Sequence, residues 1–289
     1  MTRSRATATG FLAVLLWALL ALLTVGTAPV PPFLLNALTF GIGGVLGLGW
    51  IAATGGVARI KGLSPGALAF GTLGLFGYHA LYFSALRLAP AAEASLIAYL
   101  WPLFIVLMSG LLPGERLARG HVAGALVAFA GAALILLGRG GGNWGAGAVT
   151  GLGLAFLCAV TWAVYSVGSR RFGTTVPTEG VALFCLATAA LSVPCHLVWE
   201  TTLWPVGVSG WAAVLGLGLG PVGLAFYVWD VGMKRGDIQV LGVASYAAPL
   251  LSTLALVAAG VAEPTPVLVL AAVLITVGAV LAARAGRGN

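Results

Sequence analysis

Charge is what this sequence holds least of, with 14 Lys and Arg and 7 Asp and Glu among 289 residues, or 7%. A water-soluble domain carries about 25%, so no folded surface facing water can be built from this chain. Cysteine is scarce too. Cys158, Cys185 and Cys195 are odd in number, lack paired spacing and sit in apolar runs. Neither a disulfide framework nor a zinc site is supported, and core packing is their expected role. Catalytic and nucleotide-binding motifs are missing as well. The chain has no His-Glu-x-x-His pair and no P-loop Gly-x-x-x-x-Gly-Lys-Ser/Thr. Gly207-Val-Ser-Gly210 presents a serine, yet no nucleophile–base set can be named around it. The expectation is no catalytic residue, no metal, no cofactor and no nucleotide.

What the chain has in abundance is apolar sequence, 60% of residues, with a mean hydropathy of +1.08. A bilayer core is crossed by about 20 apolar residues, which predicts ten spans. They lie near 8–27, 33–54, 64–88, 91–112, 119–138, 148–170, 178–199, 209–234, 238–260 and 265–284. Basic residues then fall on alternate connections. Arg3 and Arg5, Arg59 and Lys61, Arg116 and Arg119, Arg170 and Arg171, Lys234 and Arg235, and Arg284 and Arg287 lie at even breaks or termini. Only Arg87 and Arg139 fall at odd ones. Cytoplasmic loops retain Lys and Arg, so both termini are expected in the cytoplasm, with a lipid bilayer as the partner. The pI of about 9.8 could suggest nucleic acid, but dispersed basic pairs form no basic face. The first apolar run resembles a signal peptide, yet a second run follows Pro31-Pro32 directly, and a retained helix is expected.

The chain also resembles itself. Phe11-Leu12 and Trp17-Ala18 match Phe156-Leu157 and Trp162-Ala163 at a shift of 145, and Tyr99 and Pro102 match Tyr246 and Pro249 at a shift of 147. This divides the sequence into halves 1–139 and 148–289 joined by a linker at 140–147. An odd number of spans per half inverts one half relative to the other. Such inverted repeats recur in secondary transporters, with a site at their interface near mid-membrane.

Candidate site residues follow from that expectation. Pro102 and Pro249 interrupt the fourth and ninth spans at matched positions and withdraw the usual partner from the carbonyls of Ala98 and Ser245. Ser95, Tyr99 and Pro102 form one stripe on the fourth span, and Ser245 and Tyr246 lie beside Pro249 on the ninth. Tyr78, His79 and Tyr82 cluster on the third span, and Trp162 and Tyr165 on the sixth. Interfacial aromatics mark headgroup belts, which suits Trp50, Trp144, Trp199, Trp204 and Trp211. Trp17, Tyr99, Trp101, Trp162 and Tyr246 are too deep for a belt, and hydroxyls at depth need partners. His79 is the deepest ionisable group. Arg87 with Glu93, and Asp230 with Lys234, are expected to form ion pairs at helix ends. No Lys or Arg cluster lies at mid-depth, which counts against phosphate-bearing substrates and favours a small neutral or zwitterionic solute.

The stretch from Leu88 through Tyr99-Leu-Trp-Pro102 to Glu115, and its partner from Ser245-Tyr246 to Glu263, resemble the signature of the drug/metabolite transporter superfamily, EamA branch. Within that branch they are most similar to bacterial exporters of aromatic amino acids. The resemblance implies an inner-membrane exporter of amino acids working by alternating access. It places a central cavity between spans 1, 3, 4, 6, 8 and 9, with spans 5 and 10 as supports. The acidic residue that closes the signature stands one position displaced in the second copy, so a structural role is expected for Glu115 and Glu263.

Overall fold

The computed structural model describes residues 1–137, 147–172, 175–258, 260 and 265–287. The linker apart from Gly147, together with Arg139, Trp144 and Glu263, lies outside these residues. Among the described residues there is helix and no strand. The order is α1 (Arg3–Ala18), α2 (Leu20–Gly26), α3 (Pro32–Ala53), α4 (Val57–Lys61), α5 (Pro65–Leu88), α6 (Ala91–Ala98), α7 (Trp101–Ser109) and α8 (Arg119–Leu137). Then follow α9 (Ala148–Phe172), α10 (Gly180–Trp199), α11 (Gly207–Leu219), a π-helical turn (Gly220–Leu224), α12 (Ala225–Arg235), α13 (Ile238–Ala244), α14 (Ala247–Ala258) and α15 (Pro266–Arg287).

Local chemistry sets the helix starts. Proline stands in the first turn of α3 and α5, where its missing N–H has no partner to lose. Ser64 accepts from Ala67 N, and Asp237 accepts from Val240 N, each filling an orphan donor. Among the described residues seven helical stretches are long and apolar enough to cross a membrane, and Glu93–Ser109 and Arg119–Leu134 are shorter apolar helices. The 24-residue α5 stands outside that group because Tyr78, His79, Tyr82 and Arg87 dilute its hydropathy. The protein is a multi-pass helical membrane protein.

Four expected spans are broken, the first only at Leu19, between α1 and α2. The fourth stops after Ala98 and resumes at Trp101, and the ninth stops after Ala244 and resumes at Ala247. The breaks fall just ahead of the proline, by two to three residues at Tyr99-Leu100 and by three to four at Ser245-Tyr246. The eighth is broken by the π turn, where Ala225 N–H reaches the Gly220 carbonyl five residues back. Pro221 brings no N–H to the α-helical ladder at that point.

Packing is pairwise: α1 lies on α12, α3 on α10, α5 on α9, α7 on α13 and α8 on α15. Small residues permit the closest of these crossings. A Cβ on Gly278 would stand 2.7 Å from Ala128 N, and one on Gly131 would stand 2.9 Å from the Ala271 carbonyl. Cys158, Cys185 and Cys195 are free thiols, the first two buried. Trp50, Trp199, Trp204 and Trp211 are exposed.

Candidate functional site

A cavity of about 160 Å³ opens between the broken helices. From α5 come Tyr78, His79 and Tyr82; from the fourth span, Ala98, Tyr99 and Trp101. The first span gives Trp17 and Leu20, and α9 gives Trp162. The π turn exposes Pro221 and Val222 to it, while Phe226 and Ala248 complete the wall. Pockets for drug-sized ligands run to roughly 300–1,000 Å³, so this one suits a smaller solute.

Its rings support one another. Trp17 meets Trp101 at 6.2 Å, Trp162 at 5.8 Å and Trp229 at 5.1 Å between centroids. The Trp17 indole N–H donates to the Pro221 carbonyl at 3.0 Å, so the π turn fixes that ring's orientation. Trp229 donates to Ser166 Oγ at 3.1 Å. Tyr78 stacks on Tyr82, and the Tyr82 hydroxyl shares a 3.0 Å hydrogen bond with Ser95 Oγ.

Among the described residues, no Asp, Glu, Lys or Arg lines this cavity. Charge is gathered instead at the two ends of the bundle. At one end Glu115 pairs with Arg170 and, at 3.3 Å, with Arg3, which also reaches Asp237 at 3.2 Å. Arg170 further donates to the carbonyls of Met233 and Gly236, each at 2.9 Å. Glu115 is therefore a tie between segments. Arg59 pairs with Glu179, and Lys234 holds Asp230 at 2.8 Å. At the other end Arg87 does not pair with Glu93. It reaches Glu200 at 3.1 Å, a residue far along the chain that also receives two backbone N–H groups.

Of the expected site residues, Trp17, Tyr78, His79, Tyr82, Tyr99, Trp101 and Trp162 meet at the cavity. Four do not line it. Ser95 stands behind Tyr82, and Tyr165 is 3% exposed, packed over Gly74 and against Phe70. Ser245 is fully buried, donates its hydroxyl to the Leu241 carbonyl, and its own carbonyl accepts from Ala248 N–H at 3.1 Å. Tyr246 is fully buried and its hydroxyl accepts from Leu103 N–H at 3.0 Å. The break before Pro102 strands that N–H, and Tyr246 meets it from the partner helix. Pro102 and Pro249 are buried at the breaks. The contribution of Pro221 was within reach of sequence, since Gly220-Pro221 interrupts the eighth span as the other prolines interrupt theirs. Leu20, Val222 and Ala248 carry no such signal.

Tyr246→Phe should therefore cost stability, about 1–3 kcal/mol for the orphaned N–H, and leave the ranking of transported solutes unchanged. Thermal unfolding in detergent and a flux panel check both halves. A changed ranking would place Tyr246 in the solute path after all.

Two other concavities differ in chemistry. One of about 290 Å³ is walled by Arg170, Arg171 and Lys234 within the ionic end, and one of about 490 Å³ is a shallow apolar groove along α3. Neither gathers the rings.

A model of the EamA-like transporter family matches residues 5–137 and 149–284. The Aromatic amino acid exporter YddG of Ancylobacter novellus is 59% identical over 288 residues, covering 98% of each chain. The protein of that name in Escherichia coli strain K12 is 27% identical over 271 residues, 88% of each chain. A solved crystal structure superposes with a TM-score of 0.92 at 57% identity, covering 97% of this chain and 98% of that one.

Proposed function

The chain belongs to the EamA-like transporter family, and we propose that it exports aromatic and other small zwitterionic amino acids across the bacterial inner membrane by alternating access. It is a transporter and not an enzyme, working on a small molecule within the lipid bilayer. The observation that carries the amino-acid reading is the cavity: a small, charge-free chamber walled by Trp, Tyr and His. Rings offer stacking faces to an aromatic side chain. A phosphate-bearing solute would find no counter-charge there. The name of the 59% identical relative agrees with this chemistry.

The proposal includes ten spans in two inverted halves, 1–139 and 148–289, with both termini in the cytoplasm. Support comes from the packing pattern. Exchange of the halves turns the α1–α12 pair into the α9–α5 pair and returns α3–α10 and α8–α15 to themselves. The exchange holds at residue level, since at a shift of 147 the Gly124–Gly278 contact becomes Ala271–Gly131. The family match also falls in two segments. The basic residues put the Glu115 end in the cytoplasm and the Glu200 end outside.

Proteoliposome flux of radiolabelled phenylalanine, threonine and a cationic dye tests the reading. Saturable movement of phenylalanine is expected, with threonine slower. Dye movement without amino-acid movement would favour a broad metabolite or drug exporter, and no flux of any solute would end the transport reading.

A further inference from the structure

His79 sits on α5 among rings, with Phe40 at 5.0 Å, Tyr78 at 5.2 Å and Phe226 at 6.4 Å between centroids. Its Nδ1 lies 2.7 Å from the carbonyl oxygen of Leu75, one helical turn back. A carbonyl oxygen only accepts, so the proton of this contact is on Nδ1. The two ring nitrogens then differ in role. Among the described residues no Asp or Glu lines the cavity to balance an imidazolium, and an unpaired charge in such surroundings is costly. The ring is neutral, and its second nitrogen, Nε2, carries a lone pair and no proton. Two other polar atoms of the wall are already engaged, the Trp17 indole N–H by Pro221 and the Tyr82 hydroxyl by Ser95.

We infer that His79 Nε2 accepts a hydrogen bond from the amino group of the transported solute and thereby selects amines over carboxylates. A lone pair attracts an ammonium and repels a carboxylate, so the Leu75 carbonyl, by fixing the tautomer, sets the sign of the selection. His79 is on this account a specificity determinant of the cavity. The inference rests on the amino-acid reading above, because it presupposes a solute that presents an amino group.

The test uses three probes that share one aromatic side chain: phenylalanine, phenethylamine (amine only) and 3-phenylpropionate (carboxylate only). Binding to the purified full-length protein is measured by calorimetry. The wild type should bind phenethylamine about tenfold or more tighter than 3-phenylpropionate, the scale of one hydrogen bond to a charged group. His79→Phe should abolish that preference, with phenethylamine binding weakened and 3-phenylpropionate binding no weaker than in the wild type. His79→Gln, whose amide oxygen can accept at a similar reach, should retain the preference. The inference is overturned if the wild type shows no preference or the reverse one, or if the preference survives in His79→Phe. The wild-type comparison decides the matter even if a variant does not fold. Absence of phenylalanine binding and flux in the wild type is a different result: it removes the amino-acid reading and this inference with it.

Discussion

Glu200→Ala is expected to lower folding stability by about 3–5 kcal/mol, on the scale of about 1–3 kcal/mol for each donor left unsatisfied. Its carboxylate is 2% exposed and serves three helices at once. It accepts from Phe33 N and Leu34 N at 2.9 and 3.1 Å, from Arg87 at 3.1 Å and from His196 Nδ1 at 3.0 Å. Pro31 precedes α3 and offers no side-chain cap, so a carboxylate from α10's end performs that task. Negative charge at a helix N-terminus is also favoured by the dipole. Alanine would leave two backbone donors and a guanidinium unmet together. Thermal unfolding in detergent should show a fall on the order of 10 °C, at roughly 2–4 °C per kcal/mol for a chain approaching this size. Glu200→Gln should fall between, since an amide still accepts but carries no charge. Arg59→Ala is the control, because its guanidinium is mostly exposed and its pairing with Glu179 contributes under about 1 kcal/mol. A Glu200→Ala protein that melts with the wild type would show that the end of the bundle is held by packing alone.

The role of Glu200 shows what a one-dimensional reading misses. Its partners lie 113 and 167 residues away, and nothing local marks them. Glu93 was the near neighbour of Arg87 in sequence and the natural partner on that ground, yet the fold brings the distant carboxylate closer. Helix breaks were legible where proline marked them, at Pro102 and Pro249. Gly220-Pro221 carried the same mark for the eighth span, but nothing local shows that the break there takes π-helical form. Deep aromatics were legible as a class, since Trp and Tyr far from the headgroups need a reason to be there. Which of them face the solute depends on rotation about each helix. That rotation separates Tyr99, at the cavity, from Tyr246, its counterpart in the repeat, whose hydroxyl instead meets Leu103 N–H across the α7–α13 contact.

Trp101→Ala should abolish transport of aromatic amino acids and cost about 3–5 kcal/mol of stability, as large-to-small changes in a packed core do. The ring is 5% exposed and touches Trp17 at 6.2 Å, Trp162 at 6.2 Å and Trp229 at 5.8 Å between centroids. It is also the first residue of α7, directly after the break, so it joins the helix interruption to the cavity wall. Because alanine perturbs folding and site together, Trp101→Leu is the more discriminating variant. It keeps much of the apolar volume and removes the aromatic face. An aromatic pair contributes about 0.5–1.5 kcal/mol beyond its buried area. The ratio of phenylalanine to leucine flux should therefore fall between about twofold and tenfold. Trp101→Phe should keep most of that ratio. In a chamber without fixed charge, selection among zwitterions must come from the side chain, and ring contact is the means this wall provides. A well-folded Trp101→Leu protein with an unchanged ratio would mean that the solute's side chain never meets these rings.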